Sequence, residues 1–237
     1  RSLIAYEENP EDERANYPSS IDKKMTLLKL STASNDIGML NWHAVHPVSM
    51  TYDNKLISGD HKGYASLAFE RLKNQEGDGD NVLVGAFAQS NAGDVTPNLN
   101  LDNTGPGVDE FDNTKIIGDR QLAVALALFD SASEAVEGKI DYRQIYVDLS
   151  AYEVQDEFSH AGTQHTCPSA FGYSFAGGSS EDGGGHFMFK EGMTDQNFIM
   201  DFLIRTISGS ERYTESVRDC QRPKPILWET GPGNPPL

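Results

Sequence analysis

The sequence predicts a layered α/β or α+β fold, in which helices flank mixed β-sheets. Short apolar runs rich in β-branched and aromatic residues alternate with longer stretches whose apolar residues recur at helical spacing. Hydrophobic residues make up 38% of the chain, with 22 glycines and 11 prolines, which is typical of a loop-rich globular protein. The 237 residues are enough for a sizeable core, so we expect one domain spanning residues 1–237.

The first part of the chain predicts a hairpin followed by a helix. Residues Arg1 to Asp22 are polar and punctuated by proline, which indicates an extended lead-in over the surface. Met25–Leu30 and Ile37–His46 are apolar and joined by a turn-rich segment, so they predict two paired strands. A short helix follows, with Asp60 as its cap. Its apolar side is formed by Tyr64, Leu67, Ala68 and Leu72.

The middle of the chain predicts a buried strand and a long helix. The strand is Asn81–Gln89, which is compact and rich in aromatic and β-branched residues. The helix spans Asn113–Val136, with Asp112 or Asn113 as its cap and Gly138 as its stop.

The last part of the chain is less regular. Ile140–Leu149 alternates like a half-exposed strand, whereas the glycine-rich stretch from Cys167 to Lys190 predicts no regular structure. A helix is expected over Asp195–Ile207 and a final strand over Ile226–Thr230.

The charge balance and the hydropathy argue against several classes of partner. The net charge of −17 disfavours nucleic acid, which needs clustered Lys and Arg, and disfavours docking on anionic lipid by charge alone. The longest apolar run, Leu122 to Phe129, is far shorter than the ~18 residues that span a bilayer. Since the chain has no initiator Met or signal-like apolar segment, we expect it to start within a longer protein.

His46 is the first candidate functional residue. It closes the apolar run from Ile37 to Val45, and Pro47 then ends strand pairing. A ring at the end of a buried strand is well placed to bind a metal or to move a proton. His43 lies three residues earlier, so the two rings are expected on opposite faces and not as joint ligands. The alternative is that His46 only forms a hydrogen bond at the end of the strand.

The turn NAGDVTPN, residues 91–98, is the second candidate. In it, Thr96 is expected to face a cleft, and backbone amides near Gly93 to point at an anion. The pattern is neither a nucleophile elbow nor a P-loop. On its chemistry alone, this segment is more simply explained as a structural turn. The two cysteines, Cys167 and Cys220, fit one disulfide in an exported protein or two buried thiols in a cytosolic one.

Several blocks of the sequence resemble the neutral ceramidase family, which are zinc amidases that hydrolyse ceramide to sphingosine and a fatty acid. The blocks are NWHAVHPVSM, LISGDHKGYAS, AFAQSNAGDVTPN, TCPSAFGYSFAGG and CQRPKPILWETG, together with the lead-in RSLIAYEENPEDERANY and DKKMTLLK. They follow one order along essentially the whole chain. The resemblance implies that the chain is the middle part of a catalytic domain.

The resemblance also implies roles for single residues. His46 matches a zinc ligand, and Thr96 matches the hydroxyl residue of the family's GDVSPN hexapeptide. Arg1 matches an arginine that lines the substrate pocket. Cys167 and Cys220 match a disulfide, which favours a secreted, periplasmic or cell-surface protein. Gly93 and Asp94 in the turn, with Gly177 and Gly185 in the glycine-rich loop, are candidates for the border of the cleft, although a mobile surface loop is the alternative there.

The implied activity is zinc-assisted hydrolysis of an amide bond, with Thr96 donating a hydrogen bond to the developing oxyanion or orienting the nucleophile. The chain departs from the family in two ways. Thr96 stands where the family has serine, and the family's other ligands, a His, a Glu and a Tyr, lie outside these residues. Two rival hypotheses follow: a non-catalytic sphingolipid-binding relative or processed fragment, and a metal-independent hydrolase. Reaching the substrate would involve contact with a membrane surface.

Overall fold

The computed structural model describes residues 3–76, 82–93, 95–159, 162–194, 199, 202, 206, 213–222 and 224–230. They fall into two compact units. The first comprises Arg1–Val136 with Ser179–Gly184, and the second comprises Glu137–Gly178 with Gly185–Leu237. Both helices and small sheets are present, as the sequence predicts. No helix among the described residues is long and apolar enough to cross a membrane.

In its described residues, the first unit has four α-helices and three strands, with a 3₁₀ turn at Ser180–Asp182. They are, in chain order, α1 (Leu3–Glu7), α2 (Glu11–Ala15), β1 (Met25–Ser31), β2 (Asp36–His43), α3 (Asp60–Glu76), β3 (Val84–Gln89) and α4 (Glu110–Ser131). The strand order is β1-β2-β3. β1 and β2 form the predicted antiparallel hairpin, with Leu28 opposite Leu40. β3 lies parallel to β2, with His43 opposite Gln89, and α3 makes the crossover between them.

The core of the first unit lies between the sheet and helices α3 and α4. α3 packs against α4 and β3, and α4 also contacts β1. The rings of Phe69 and Phe129 meet edge to face, with centroids 5.3 Å apart. Gly118 lets the two helices approach closely, because a Cβ there would lie 2.5 Å from the ring of Tyr64. The buried cluster consists of Met39, Ala65, Phe69, Leu83, Leu122, Ala125 and Phe129.

Three predicted boundaries in this unit were wrong. β2 ends at His43, before His46. α4 begins earlier than predicted, because Asp109 is the cap and accepts a hydrogen bond from the amide of Asp112. The same helix ends at Ser131 and does not continue to Gly138, since Ala132 turns the backbone into an extended conformation.

The second unit is built from short elements. They are β4 (Glu153–Val154), β5 (Gln164–His165), β6 (Ala170–Gly172), α5 (Tyr173–Gly177), α6 (Glu215–Cys220) and β7 (Ile226–Glu229), with a 3₁₀ turn at Asp156–Phe158. β4 pairs with β5, and β6 pairs antiparallel with β7, which confirms the predicted last strand. Tyr173 and Ile226 are buried beside this pair. Cys167 and Cys220 form a disulfide, with Cα atoms 5.8 Å apart.

Two predictions for this part of the chain were wrong. The glycine-rich stretch does contain regular structure, because β7 supplies a partner for β6 and a turn of helix follows. Residues 140–149 form no strand in the described structure. Their apolar side chains are exposed, and Ile140 and Tyr146 show more than nine-tenths of their surface. The predicted helix over Asp195–Ile207 lies mostly outside the described residues.

Candidate functional site

The two candidate segments lie at one edge of the sheet. Because β2 and β3 are parallel, the loops that follow His43 and Gln89 both start at this edge. The loops then join directly: the backbone amide of His46 donates to the carbonyl oxygen of Val95 over 3.0 Å. Val95 precedes Thr96, so this backbone hydrogen bond links His46 to the turn that carries Thr96.

The ring of His46 is anchored through one nitrogen, and its other nitrogen has no hydrogen-bond partner among the described residues. Its Nδ1 lies 3.1 Å from the same carbonyl oxygen of Val95. A carbonyl oxygen can only accept, so Nδ1 donates this hydrogen bond. The side chain is exposed. A neutral ring fixed through Nδ1 with Nε2 accessible is the arrangement that a metal-binding histidine requires.

Behind His46 lies a buried pair that the sequence did not predict as functional. Nε2 of His61 donates to the carbonyl oxygen of His46 over 2.8 Å. Nδ1 of His61 accepts from Nε2 of Gln121 over 2.7 Å. His61 is fully buried, and burial lowers its pKa below the ordinary value. The neutral ring of His61 therefore links Gln121 of α4 to the backbone of His46 through two hydrogen bonds.

The loop between His46 and α3 is fastened by two carboxylates. Asp60, the first residue of α3, accepts from the backbone amides of Ser49 and Met50, over 3.1 and 2.8 Å, so it fixes the loop to the start of the helix. Its φ of 52° lies in the left-handed region, which Asp tolerates better than most residues. Glu110, at the start of α4, accepts from the amide and the hydroxyl of Thr51 over 2.8 and 2.6 Å. These bonds lower the pKa of Glu110.

Lys62 holds the ends of the two parallel strands. Its ammonium group donates to the carbonyl oxygens of His43 and Ala88, over 3.0 and 3.1 Å. The residue is almost completely buried. Burial lowers the pKa of Lys62 to about 8, because the charged form loses hydration.

Thr96 is buried, and its hydroxyl is engaged on both sides. Oγ1 donates to Oδ1 of Asp182 over 2.5 Å and accepts from the amide of Asn98 over 3.1 Å. Asn98 in turn donates to the carbonyl oxygen of Glu181 and to Oδ1 of Asp182, over 2.9 and 3.0 Å. A hydroxyl has one proton, and here it points to a carboxylate. The hydroxyl of Thr96 can therefore only accept a hydrogen bond from a further partner.

Two cavities border these residues within the first unit. A cavity of about 850 Å³ lies between the lead-in and the turn, and Gly93, which has a φ of 46°, lines it together with Tyr6, Arg14, Ile21 and Asn91. The second cavity, of about 620 Å³, is mainly apolar and touches both loops. Its lining includes Val45, Thr96, Pro97, Leu99, Ile117 and Arg120. Both volumes are in the range of small-molecule sites.

The other candidates have different positions. Arg1 and Asp94 lie outside the described residues. Gly177 and Gly185 belong to the second unit, where a Cβ would lie 2.4 Å from the carbonyl oxygen of Lys190 and 2.2 Å from that of Ala176, respectively. Close backbone packing thus explains why both positions are glycine. Their role at the border of a cleft stays a prediction.

No group of three His, Cys, Asp or Glu side chains that could hold a metal occurs in the described part of the chain. Within that part, His46 contributes a single suitable nitrogen. A catalytic zinc usually needs about three protein ligands.

Comparison with known proteins gives a consistent result. A family model described as neutral/alkaline non-lysosomal ceramidase, N-terminal, matches residues 1–237. It concerns the N-terminal part of these proteins, whereas the sequence blocks indicated the middle of the catalytic domain. Neutral ceramidase B of Dictyostelium discoideum is 38% identical over 98% of this chain and 36% of that protein. The neutral ceramidase of Pseudomonas aeruginosa is 38% identical over 99% of this chain and 34% of its own length.

Solved structures show the same relation. A structure described as ceramidase complexed with C2 has a TM-score of 0.75 at 37% identity, covering 99% of this chain and 35% of that one. A crystal structure of neutral ceramidase from Pseudomonas aeruginosa has a TM-score of 0.71 at 33% identity, covering 99% and 34%. The chain thus spans about a third of the length of these relatives.

Proposed function

Since the chain belongs to the neutral/alkaline, non-lysosomal ceramidase family, we propose that it forms part of an enzyme that hydrolyses the amide bond of ceramide. The products are sphingosine and a fatty acid. The match over residues 1–237 is the observation that carries this proposal. The joined loops of His46 and Thr96 support it, because they bring one candidate ligand and one hydroxyl to the same edge of the sheet.

His46 is proposed as one ligand of a catalytic zinc. The bond from its Nδ1 to Val95 leaves Nε2 without a partner among the described residues, and the hydrogen bond from His61 fixes the backbone behind it. The remaining ligands are proposed to come from the two thirds of the relatives' length that this chain does not match. When bound, zinc supplies a water whose pKa is lowered toward ~7 and polarises the amide carbonyl.

Thr96 is proposed to orient the reacting groups. Its hydroxyl donates its hydrogen bond to Asp182. Toward the reacting groups, Oγ1 can therefore only accept a hydrogen bond. The sequence left two roles open for this hydroxyl, and the hydrogen bonds favour orientation of the nucleophile over donation to the oxyanion. The apolar cavity beside Thr96 suits a hydrocarbon chain of the substrate.

The protein is further proposed to act outside the cytosol, where it reaches sphingolipid at a membrane surface. The disulfide between Cys167 and Cys220 supports this location, because such bonds persist in oxidising compartments.

The test uses the full-length protein that contains this chain. We expect the wild type to contain zinc and to release fatty acid from ceramide, and His46→Ala to lose zinc and activity together. His165→Ala is the matched control, since His165 is exposed in β5 of the second unit. Full zinc occupancy in His46→Ala would contradict the assignment of this ligand.

A non-catalytic sphingolipid-binding protein is the second candidate. The observation that favours it is Thr96 itself, which carries an extra methyl group relative to serine and whose rotamers are restricted. On this alternative, the wild type binds ceramide in vesicles but releases no fatty acid, even with zinc added. Measuring binding and turnover on the same preparation separates the two functions.

A further inference from the structure

We propose that Asp182 is a positioning residue for the hydroxyl of Thr96. The inference rests on the proposed amide hydrolysis and assigns a role in it to a residue from the glycine-rich segment. Asp182 holds the hydroxyl proton and thereby turns a lone pair of Oγ1 toward the attacking water or the scissile amide.

The first support is the geometry of the pair. Oγ1 of Thr96 and Oδ1 of Asp182 are 2.5 Å apart, although the residues are 86 positions apart in the sequence. A hydrogen bond from a hydroxyl to a carboxylate at this length is charge-assisted and stronger than a neutral one. It fixes the rotamer of Thr96 in a way that the turn alone does not.

The second support is the way in which Asp182 is held. Its Oδ1 also accepts from Asn98, over 3.0 Å, and its Oδ2 accepts from Ser179 over 3.1 Å. Within the described part of the chain, no Lys, Arg or His lies at ion-pair distance from Asp182. Since neutral donors alone surround the carboxylate there, its charge is available to polarise the hydroxyl of Thr96.

The third support is the anchoring of the segment that carries Asp182. The neighbouring Glu181 is buried, accepts from the amide of Leu3 over 2.8 Å, and offers its backbone oxygen to Asn98. Gly183 has a φ of 107° and Gly184 a φ of 68°, which turn the chain away directly after Asp182. The backbone that carries Asp182 is thus held in place by contacts of Glu181. These contacts direct the carboxylate of Asp182 toward the turn of residues 91–98.

The experiment is a double-mutant cycle on the full-length protein with ceramide as substrate. We expect Asp182→Asn to lower kcat roughly 10-fold to 100-fold with KM and zinc content little changed, because the charge-assisted bond that orients Oγ1 of Thr96 is lost. The same loss is expected in the Thr96→Ser background, where the hydroxyl remains. In the Thr96→Val background, Asp182→Asn should have no further effect, because no hydroxyl is left to position.

Asp102→Asn is the matched control. Asp102 also accepts a hydrogen bond from a threonine hydroxyl, that of Thr104, but in an exposed loop. We expect this variant to keep wild-type kcat. If Asp182→Asn fails to fold, Ser179→Ala takes its place, since it removes the hydrogen bond to Oδ2 of Asp182; a smaller loss with the same dependence on Thr96 is expected.

The outcomes separate the two proposals. Equal losses from Asp182→Asn in the Thr96→Val background and in the wild type would overturn the positioning role and leave the enzymatic function intact. An inactive wild type that contains zinc would overturn the enzymatic function, and the role of Asp182 with it.

Discussion

The hydroxyl of Thr96 is fixed from two sides, by the carboxylate of Asp182 and by the backbone of Asn98. Replacing it therefore changes two things, the chemistry at the turn and the packing of the segment that carries Asp182. The chemical effect and the packing effect are detected by different measurements. Loss of chemistry lowers turnover, whereas loss of one hydrogen bond lowers stability by about 1 kcal/mol.

The first prediction compares two substitutions of Thr96. Thr96→Val keeps the shape and removes the oxygen that orients the nucleophile, so we expect kcat/KM to fall roughly 10²-fold at unchanged zinc content. Thr96→Ser should be neutral or faster, because it restores the family's usual residue and relieves the crowding by the methyl group. Turnover of ceramide is the measurement. Wild-type turnover in Thr96→Val, with only its melting temperature lowered, would show that the turn is structural.

The second prediction concerns Lys62. Its pKa is lowered to about 8 in the folded protein and rises to its ordinary value of 10.5 on unfolding. Between these pH values the unfolded chain binds more protons, so the free energy of unfolding should rise as the pH increases through this range. We expect a rise on the order of 1 to 2 kcal/mol after solvent screening.

Urea unfolding of wild type and Lys62→Met from pH 7.5 to 10.5 checks this prediction. The difference between the two proteins isolates Lys62, because the other titrating groups are common to both. A constant difference across the whole range would show that Lys62 keeps an ordinary pKa. The variant loses the bonds to His43 and Ala88 at every pH, so only the slope is informative.

At the scale of elements, the parallel pairing of β2 and β3 brings the two loops of the site together, and α4 contacts the loop after His46 directly through Glu110 and indirectly through Gln121. Gln121 projects from α4 to His61, which holds the carbonyl of His46. The position of α4 and the position of His46, the proposed zinc ligand, are therefore linked through the buried side chains of Gln121 and His61.

The third prediction tests this link. Gln121→Leu keeps the volume but leaves Nδ1 of His61 unpaired, which should cost about 1 to 3 kcal/mol of stability. We also expect zinc affinity of the full-length protein to fall about 10-fold or more, since the hydrogen bond from His61 to the backbone of His46 is weakened. Chelator competition and thermal unfolding are the measurements. Gln144→Leu is the control, because Gln144 is exposed and, among the residues that the structure describes, its side chain bonds to Tyr146 alone. Reduced stability with unchanged zinc affinity would limit Gln121 to packing.

Elements with a local signal could be predicted from the sequence. The hairpin, β3 and β7 have apolar runs with turn residues at their ends, and the structure confirms them. Residues 140–149 have the same alternation but no strand partner in the described structure, and alternation alone cannot supply one. The end of α4 was missed for a related reason: the apolar pattern continues past Ser131, but the residues there are exposed.

Site residues could be predicted from the sequence only where they lie close together in the chain or match a motif. His46 and Thr96 follow strands, so their positions could be predicted. The partners that fix them could not: Gln121 meets His61 across 60 positions, and Asp182 meets Thr96 across 86. Such contacts depend on the packing of whole elements, and no periodicity in the sequence reports them.

At the scale of the whole molecule, a disulfide joins two distant parts of the second unit. The elements of this unit are short, and the disulfide closes a loop with a sequence separation of 53. The fourth prediction is that replacing both Cys167 and Cys220 with Ser destabilises this unit by about 4 kcal/mol in the chain-entropy treatment.

Trp228 in β7 is a convenient reporter of that unit. In a Trp42→Phe background, urea unfolding followed by fluorescence should show the transition at a lower urea concentration in the double cysteine variant. The matched control is the disulfide-intact protein in the same background. An unchanged midpoint would mean that the β6–β7 pairing alone holds the unit.

The disulfide also determines what a protease cut in the second unit would produce. Cys167 and Cys220 lie before and after the exposed segment around Phe187 and Met188. A single cleavage there leaves both fragments tied to each other, and the two strands that pair across the bond, β6 and β7, fall on different fragments. The nicked protein should therefore run as one band on a non-reducing gel and as two bands after reduction. Electrophoresis without a reducing agent would thus overestimate how much of the polypeptide is intact.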